Sequence, residues 1–335
     1  MQQMQNLQTL HNDALVIGVD VGGTKIAAGV VDNQGNVAGR IQVPTDTSSP
    51  EDTLRSIAAS VKRVLHDAGS NAERISAIGL GIPGMVDPVK GMSLLAVNLG
   101  WRNVSVKDWL ERELGLPCSI ENDVSAATLG ESLYGVGKQQ EYMVYLSLGT
   151  GIAARAIIHG QLYRGAHGMA GEVGHVVIDP SGPLCRCGAK GCLEALAAGP
   201  ALAQAALREL QSGKASSLQE YQAADLRAEH VFEAAVHNDA LALQILQKAG
   251  LQLAYGICLL VMGYDPQLVV IGGGLASEQS PLIASIRAGI EQWRTRAPVF
   301  HAMLNVDAIR VSGLQGDAGI VGAAALVAAQ RKIVL

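Results

Sequence analysis

Short apolar runs rich in Val and Ile alternate along the chain with longer segments whose apolar positions recur at helical spacing. Ala14–Asp20, Ile26–Asp32 and Val37–Val43 read as three strands separated by Gly22-Gly23 and by the turn-like Asn33-Gln34-Gly35-Asn36, which predicts an antiparallel meander. Ser49-Pro50-Glu51-Asp52 then offers an N-cap, a first-turn proline and acidic residues, and Leu54, Ile57, Ala58, Val61, Leu65 and Ala68 follow at helical spacing. A helix of about four or five turns is expected there. Further strands are predicted at Ile75–Gly81 and Pro117–Glu121, and helices at Val106–Leu114 and Val124–Tyr134.

The pattern then begins again. Tyr142–Leu148 is a strand, Gly149-Thr150-Gly151 a turn and Ile152–Ile158 a returning strand. At an offset of 126 residues, Gly23-Thr24-Lys25-Ile26-Ala27-Ala28 lies over Gly149-Thr150-Gly151-Ile152-Ala153-Ala154. Two strand-glycine-strand units suggest a duplicated domain, although short Gly/Ala strings also match by chance. Helices follow near Pro200–Gln211, Ala228–Val236 and Ala240–Met262, then a strand at Leu268–Ile271, a helix at Pro281–Arg296, a strand at Val306–Ser312 and a final helix from Asp317. The class is mixed α/β.

Hydrophobic residues are 49% and charged residues 16% of the 335, a composition that excludes a disordered chain and leaves room for roughly two domains. A net charge of −5 does not suit a general nucleic-acid binder. The most continuous apolar stretch, Leu253–Met262, is shorter than a membrane span, and Met1–Asp13 has no Lys or Arg for a signal peptide. The expected location is cytoplasmic, with no membrane or nucleic-acid partner. Five cysteines without a secretory signal argue against a disulfide framework.

The 39 glycines gather in clusters after apolar runs. DVGGTK (Asp20–Lys25) lacks the Gly-Lys-Ser/Thr of a Walker loop, and no helix follows it. It is either a plain hairpin turn or a nest of backbone N–H groups for phosphate oxygens, with the Thr24 hydroxyl and Lys25 ammonium beside it. LGTG (Leu148–Gly151) repeats the device, and Gly272-Gly273-Gly274 is a third cluster. In GHVVIDPSGPLCRCGAKGCLE (Gly174–Glu194), His175 precedes Cys185, Cys187 and Cys192, a donor set suited to tetrahedral Zn²⁺. Four protein ligands leave no open position, so such a metal is structural. The loop is flanked by Glu172 and Glu194, which it could bring together as acceptors for sugar hydroxyls. In ENDVSAATLGE, from Glu121, a strand ends in Asn122-Asp123 and a helix begins. That pair is either an N-cap or a catalytic group placed at a junction.

Together these residues resemble the ROK family (repressors, open reading frames and kinases), and within it the bacterial glucokinases. The likeness runs from Ala14 to the C-terminal helix, with DVGGTK, GIPGMVD, NLGW, ENDVSAATLGE, LGTG, the His175–Cys192 signature and GGG in the family's order. It implies a two-domain actin-like, ribonuclease-H-like α/β fold with a duplicated core and an interdomain cleft. The expected domains are 1–121 plus 317–335, and 122–316. It also implies ATP-dependent phosphorylation of a hexose 6-hydroxyl, glucose foremost, with N-acetylmannosamine, N-acetylglucosamine and fructose as alternatives. By the same likeness Asp123 matches the catalytic base, and Gly84, Asn98, Asn122, Glu172, His175 and Glu194 match sugar contacts. Asp20 matches the Mg²⁺-associated aspartate, Gly22, Gly23, Thr24, Lys25, Gly149, Thr150 and Gly151 match the phosphate clamps, and Gly272–Gly274 match the adenosine-side turn. A homodimer or homotetramer is implied.

One departure stands out. Many relatives carry glycines after the second clamp, where this chain has Ala153, Ala154 and Arg155, so Arg155 is expected either to crowd the backbone or to add a phosphate contact. The family's repressors carry a helix-turn-helix domain ahead of the first clamp, and only thirteen residues without a basic side chain precede the first strand here. A kinase is therefore expected rather than a regulator. An actin-type nucleotide module without enzyme activity leaves the Cys cluster and Asn122-Asp123 unexplained.

Overall fold

The computed structural model describes residues 15–296 and 298–333 and divides into two compact units. Unit one takes in the described residues of Met1–Glu141, Ile157–Ala170 and Gly313–Leu335, and unit two Tyr142–Ala156 and Gly171–Ser312. The division differs from the one expected at residue 121, because the helix that begins at Asp123 packs with unit one.

In unit one, strands β1 (Leu15–Val21), β2 (Lys25–Val31) and β3 (Val37–Pro44) form the expected antiparallel meander. Ala14, the first residue of the expected strand, lies outside the described residues. β4 (Ile75–Ile82) pairs parallel with β1, and β8 (Cys118–Asn122) pairs parallel with β4, giving the order β3-β2-β1-β4-β8. Both faces of this sheet are covered at its centre, so β1, β2 and β4 are almost continuously buried, whereas the edge strand β3 alternates. Leu15, Ile17, Val19 and Val21 point to one face, under α1 (Pro50–Ala68) and α2 (Val106–Leu114). Ser49 caps α1 as expected, accepting from the Asp52 N–H at 3.1 Å.

Val16, Gly18 and Asp20 point to the other face, which α3 (Asp123–Leu133) and α10 (Ala318–Ile333) cover. Here glycine sets the spacing: a Cβ at Gly18 would collide with the Ile320 carbonyl, and one at Gly79 with that of Ala323. Without side chains at these two positions, α10 lies directly on β1 and β4.

Between β4 and α2 the chain also makes a small antiparallel sheet that the sequence pattern did not predict: β5 (Met85–Asp87), β6 (Met92–Ala96) and β7 (Trp101–Ser105).

Unit two repeats the plan. β9 (Met143–Leu148) is hydrogen-bonded to β10 (Ile152–Ile158) on one side and runs parallel to β12 (Leu268–Gly272) on the other. β12 is parallel to β13 (Ile309–Val311). The order β10-β9-β12-β13 thus copies β2-β1-β4-β8. The short β11 (Gln161–Tyr163), whose residues are counted with unit one, follows β10 in the chain as β3 follows β2. Helices α4 (Leu193–Ala197), α5 (Gly199–Gln211), α6 (Ala228–Val236), α7 (Ala240–Tyr264), α8 (Pro281–Arg294) and α9 (Pro298–Met303) complete the unit. Among the described residues, α7 alone is long and apolar enough to cross a bilayer, which the sequence reading did not anticipate. Most of its apolar length is buried, with Leu246, Leu253 and Ile257 inside the core and α8 packed along it.

Candidate functional site

In unit one the strand ends converge on two carboxylates. Asp20 lies at the end of β1, paired across the sheet with Gly81. Burial, reinforced by the negative charge of Asp123 and only partly offset by Lys25, raises its pKa to about 6. The packing is close enough that a side chain at Gly319, in the first turn of α10, would strike the Asp20 carboxylate. The turn from Gly22 to Lys25 is closed by Gly22 N–H donating to the Lys25 carbonyl (2.9 Å), and it is tied to β3 by the Thr45 hydroxyl donating to the Gly22 carbonyl (2.7 Å). Thr24 and Lys25 are exposed.

At the end of β8 the N-cap reading of Asn122-Asp123 falls to the first residue of the pair. Asn122 is the N-cap of α3: its Oδ1 accepts from the Ser125 N–H at 3.1 Å. Its Nδ2 donates to the Gly84 carbonyl (3.0 Å) and to Asp123 Oδ1 (2.9 Å). Asp123 opens the helix, and its Oδ1 also accepts from the Val124 N–H (2.9 Å). One carboxylate oxygen is therefore oriented by two donors, which fixes the direction of the other.

The small sheet brings in Gly84 and Asn98. Gly84, with φ of 86°, directly precedes β5, and Asn98 is an exposed residue in the 3-10 turn Val97–Leu99 between β6 and β7. Asn98 lies against the Asp20–Lys25 turn, since a Cβ at Gly23 would come within 3.0 Å of its own Cβ. Asp20, Gly22–Lys25, Gly84, Asn98, Asn122 and Asp123 thus all fall in unit one.

Sequence reasoning missed what holds this junction. Glu121 is buried, its Oε1 accepts from the Asn122 N–H (2.9 Å), and its Oε2 accepts from Arg164 Nε (2.8 Å) and Nη2 (2.7 Å). A charged residue near the end of a short buried strand was the available signal. Its partner, 43 residues away, gave none.

In unit two the Gly149–Gly151 turn joins β9 to β10, and the Gly272–Gly274 turn leaves β12 beside it. Leu275 N–H donates to the Leu148 carbonyl at 3.1 Å. The two glycine clusters are therefore adjacent. Glu172 and Glu194 both bond to β10: Glu194 Oε2 accepts from the Ile152 N–H (3.0 Å), and Glu172 Oε1 accepts from Arg155 Nη2 (2.8 Å). Arg155 is buried, and its Nη1 also donates to the Ala154 carbonyl (2.7 Å). The ion pair with Glu172 is an engagement that neither expectation for Arg155 included.

The cysteine loop closes as its spacing predicted. Donor atoms of His175, Cys185, Cys187 and Cys192 all lie within 4.8 Å of one another. Cys185 Sγ is 3.8 Å from His175 Nδ1, and Cys187 Sγ is 3.6 Å from Cys192 Sγ. Metal bonds of about 2.3 Å to sulfur and 2.0–2.1 Å to nitrogen give tetrahedral edges of roughly 3.6–3.8 Å, so the donors fit Zn²⁺. All five cysteines are free thiols. Turns between Cys185 and Gly191 fold the loop back on itself, with Cys185 N–H donating to the Ala189 carbonyl (2.7 Å) and Gly188 N–H to the Cys185 carbonyl (3.0 Å).

Two sheets with one strand order, each with a glycine turn between its first two strands, define the duplicated actin-like, ribonuclease-H-like class. Within that class, the ROK family profile matches residues 16–330, and the chain belongs to the ROK family. It is 33% identical over 317 residues to a glucokinase of Thermotoga maritima, covering 93% of this chain and 96% of that one. The crystal structure of a ROK family glucokinase from Streptomyces griseus, in complex with glucose and AMPPNP, superposes with a TM-score of 0.80 at 33% identity, covering 93% of this chain and 99% of that one. A putative xylose repressor of Caldicellulosiruptor is 30% identical over 329 residues, or 96% of this chain and 80% of the repressor.

Proposed function

We propose that this protein is an ATP-dependent sugar kinase that phosphorylates the 6-hydroxyl of glucose. The observation that carries the reading is the Asn122-Asp123 junction, a carboxylate oriented by an amide and a helix N–H beside a second, desolvated carboxylate. It is supported by the likeness to glucokinases over nearly the whole chain, and to the structure that holds glucose and AMPPNP.

Asp123 accepts the proton of the attacking hydroxyl. Phosphoryl transfer passes through a loose transition state, so a carboxylate that orients the nucleophile and takes its proton late suffices. Gly84, Asn98, Asn122, Glu172, His175 and Glu194 are the residues assigned to the sugar hydroxyls. Gly22–Lys25 and Gly149–Gly151 hold the phosphates through their amides, aided by Lys25, and Gly272–Gly274 face the adenosine. Asp20 is the carboxylate suited to Mg²⁺, which neutralises phosphate charge when bound. A cation there would also pull its raised pKa back down.

His175, Cys185, Cys187 and Cys192 hold a structural zinc that fixes the loop. His175 Nδ1 faces the sulfurs, which leaves Nε2 as the ring nitrogen for the sugar. A cytoplasmic homodimer or homotetramer belongs to the same reading, and light scattering checks the assembly.

The test is ADP release by the purified protein across a panel of glucose, fructose, N-acetylmannosamine and N-acetylglucosamine. Turnover highest on glucose is expected. Preference for another of these sugars would reassign the substrate, and no turnover with any would remove the kinase reading in favour of a sugar-responsive regulator.

A further inference from the structure

Gly149-Thr150-Gly151 has little in its own side chains to give it shape. Its one internal bond is Gly149 N–H to the Gly151 carbonyl, at 3.0 Å. Both ends are held from outside by a single stretch of chain. At one end Glu194 Oε2, on α4, accepts the Ile152 N–H at 3.0 Å, and at the other Gly199 N–H, the first residue of α5, donates to the Gly149 carbonyl at 2.9 Å. The Glu194 carboxylate also lies against the turn, since a Cβ at Gly151 would come within 2.7 Å of Oε2.

A carboxylate is an unfavourable neighbour for a triphosphate, because like charges repel. Its presence here needs a compensating task, and the bond to Ile152 supplies one. An amide nest binds phosphate only while successive N–H groups keep a common aim, and the residue that closes the turn sets that aim. We propose that Glu194 is a positioning residue for the phosphate turn, in addition to any contact with sugar, and that nucleotide affinity depends on it even when no sugar is bound. The proposal rests on the assignment of Gly149–Gly151 to the phosphates.

Two substitutions separate shape from charge. Glu194→Gln removes the charge but keeps a carbonyl oxygen for the Ile152 N–H, whereas Glu194→Ala removes both. Calorimetric titration of Mg·ADP into the sugar-free, metal-replete proteins should show Glu194→Ala weakened about tenfold, the typical worth of a hydrogen bond to a charged group. Glu194→Gln should bind at least as tightly as the parent. Hydrogen exchange at the Ile152 amide should be faster in the Ala variant and near parental in the Gln variant, which also establishes that each is folded. Equal nucleotide affinity in parent and Ala variant would confine Glu194 to the sugar and overturn the proposal. Tighter binding by both variants would show that charge repulsion outweighs positioning, and would overturn it equally. A parent protein that binds no nucleotide would instead remove the assignment of the turn, and the proposal with it.

Discussion

Replacing Asp20 by Asn should make the ligand-free protein more stable at neutral pH while damaging its activity. The burial that raises the Asp20 pKa from 3.8 to about 6 acts against the ionised form, and the Asp123 charge adds to it. A carboxyl whose folded-state pKa lies above its unfolded value contributes stability that is fully present below pH 4 and is lost as pH rises through 6. At roughly 1.4 kcal/mol per unit, the penalty at pH 7 and above is up to about 3 kcal/mol. Part of the side chain still meets water, so a net effect of about 1–2 kcal/mol is the working figure. Asn is nearly isosteric and carries no charge. Urea unfolding of parent and variant, with no nucleotide, metal or sugar added, should give coincident midpoints only below about pH 3.8 and a variant that is increasingly the more stable as pH rises from 4 through 6. Parallel stability curves across that window, or a variant less stable at pH 7.5, would refute the desolvation argument. The same variant should lose most of its Mg·ATP-dependent turnover.

Asp123→Asn should lower turnover by at least about a thousandfold while hexose binding measured by calorimetry changes little, because the amide keeps the shape but cannot take the proton. Near-parental turnover would remove Asp123 from the base role. Elemental analysis of protein purified without added metal should return about one zinc per chain, and Cys187→Ser should lower both the zinc content and the thermal midpoint. Gly18→Ala, which sets a methyl group against the Ile320 carbonyl, should cost about 2–4 kcal/mol in urea unfolding by lifting α10 from β1. A cost under 0.5 kcal/mol would show that α10 is not closely seated.

The meander, the duplicated order and the converging His/Cys loop were legible because each is written locally. Val/Ile runs broken by glycine need no distant partner to be read, and His175 to Cys192 spans only eighteen positions. The five-residue α4 and the three-residue strands β5, β11 and β13 were illegible or blurred, since so few residues show no period. Asn122 as cap and Asp123 as the oriented group could be told apart only once the strand end and Gly84 were placed together. The pairs that hold the site in shape, Glu121 with Arg164, Glu172 with Arg155 and Glu194 with the Ile152 amide, join residues that topology brings together across 17 to 43 positions.

The covering of the first sheet also has a temporal side. β1 emerges from the ribosome some 300 residues before α10, which supplies Ile320, Ala324 and Val327 against Val16, Ala27, Val31 and Ala77. At about 5–20 residues per second that interval is on the order of 15–60 s. Through it one face of a Val/Ile-rich sheet has no partner helix in that place, and the glycines that later admit α10 leave the backbone of β1 and β4 open as well. The nascent chain is then at its most exposed to mispairing and to capture by chaperones. Nonsense or frameshift lesions late in the coding sequence would leave β1 and β4 without that cover permanently, and so act as folding lesions although they spare both glycine turns and the His175–Cys192 loop.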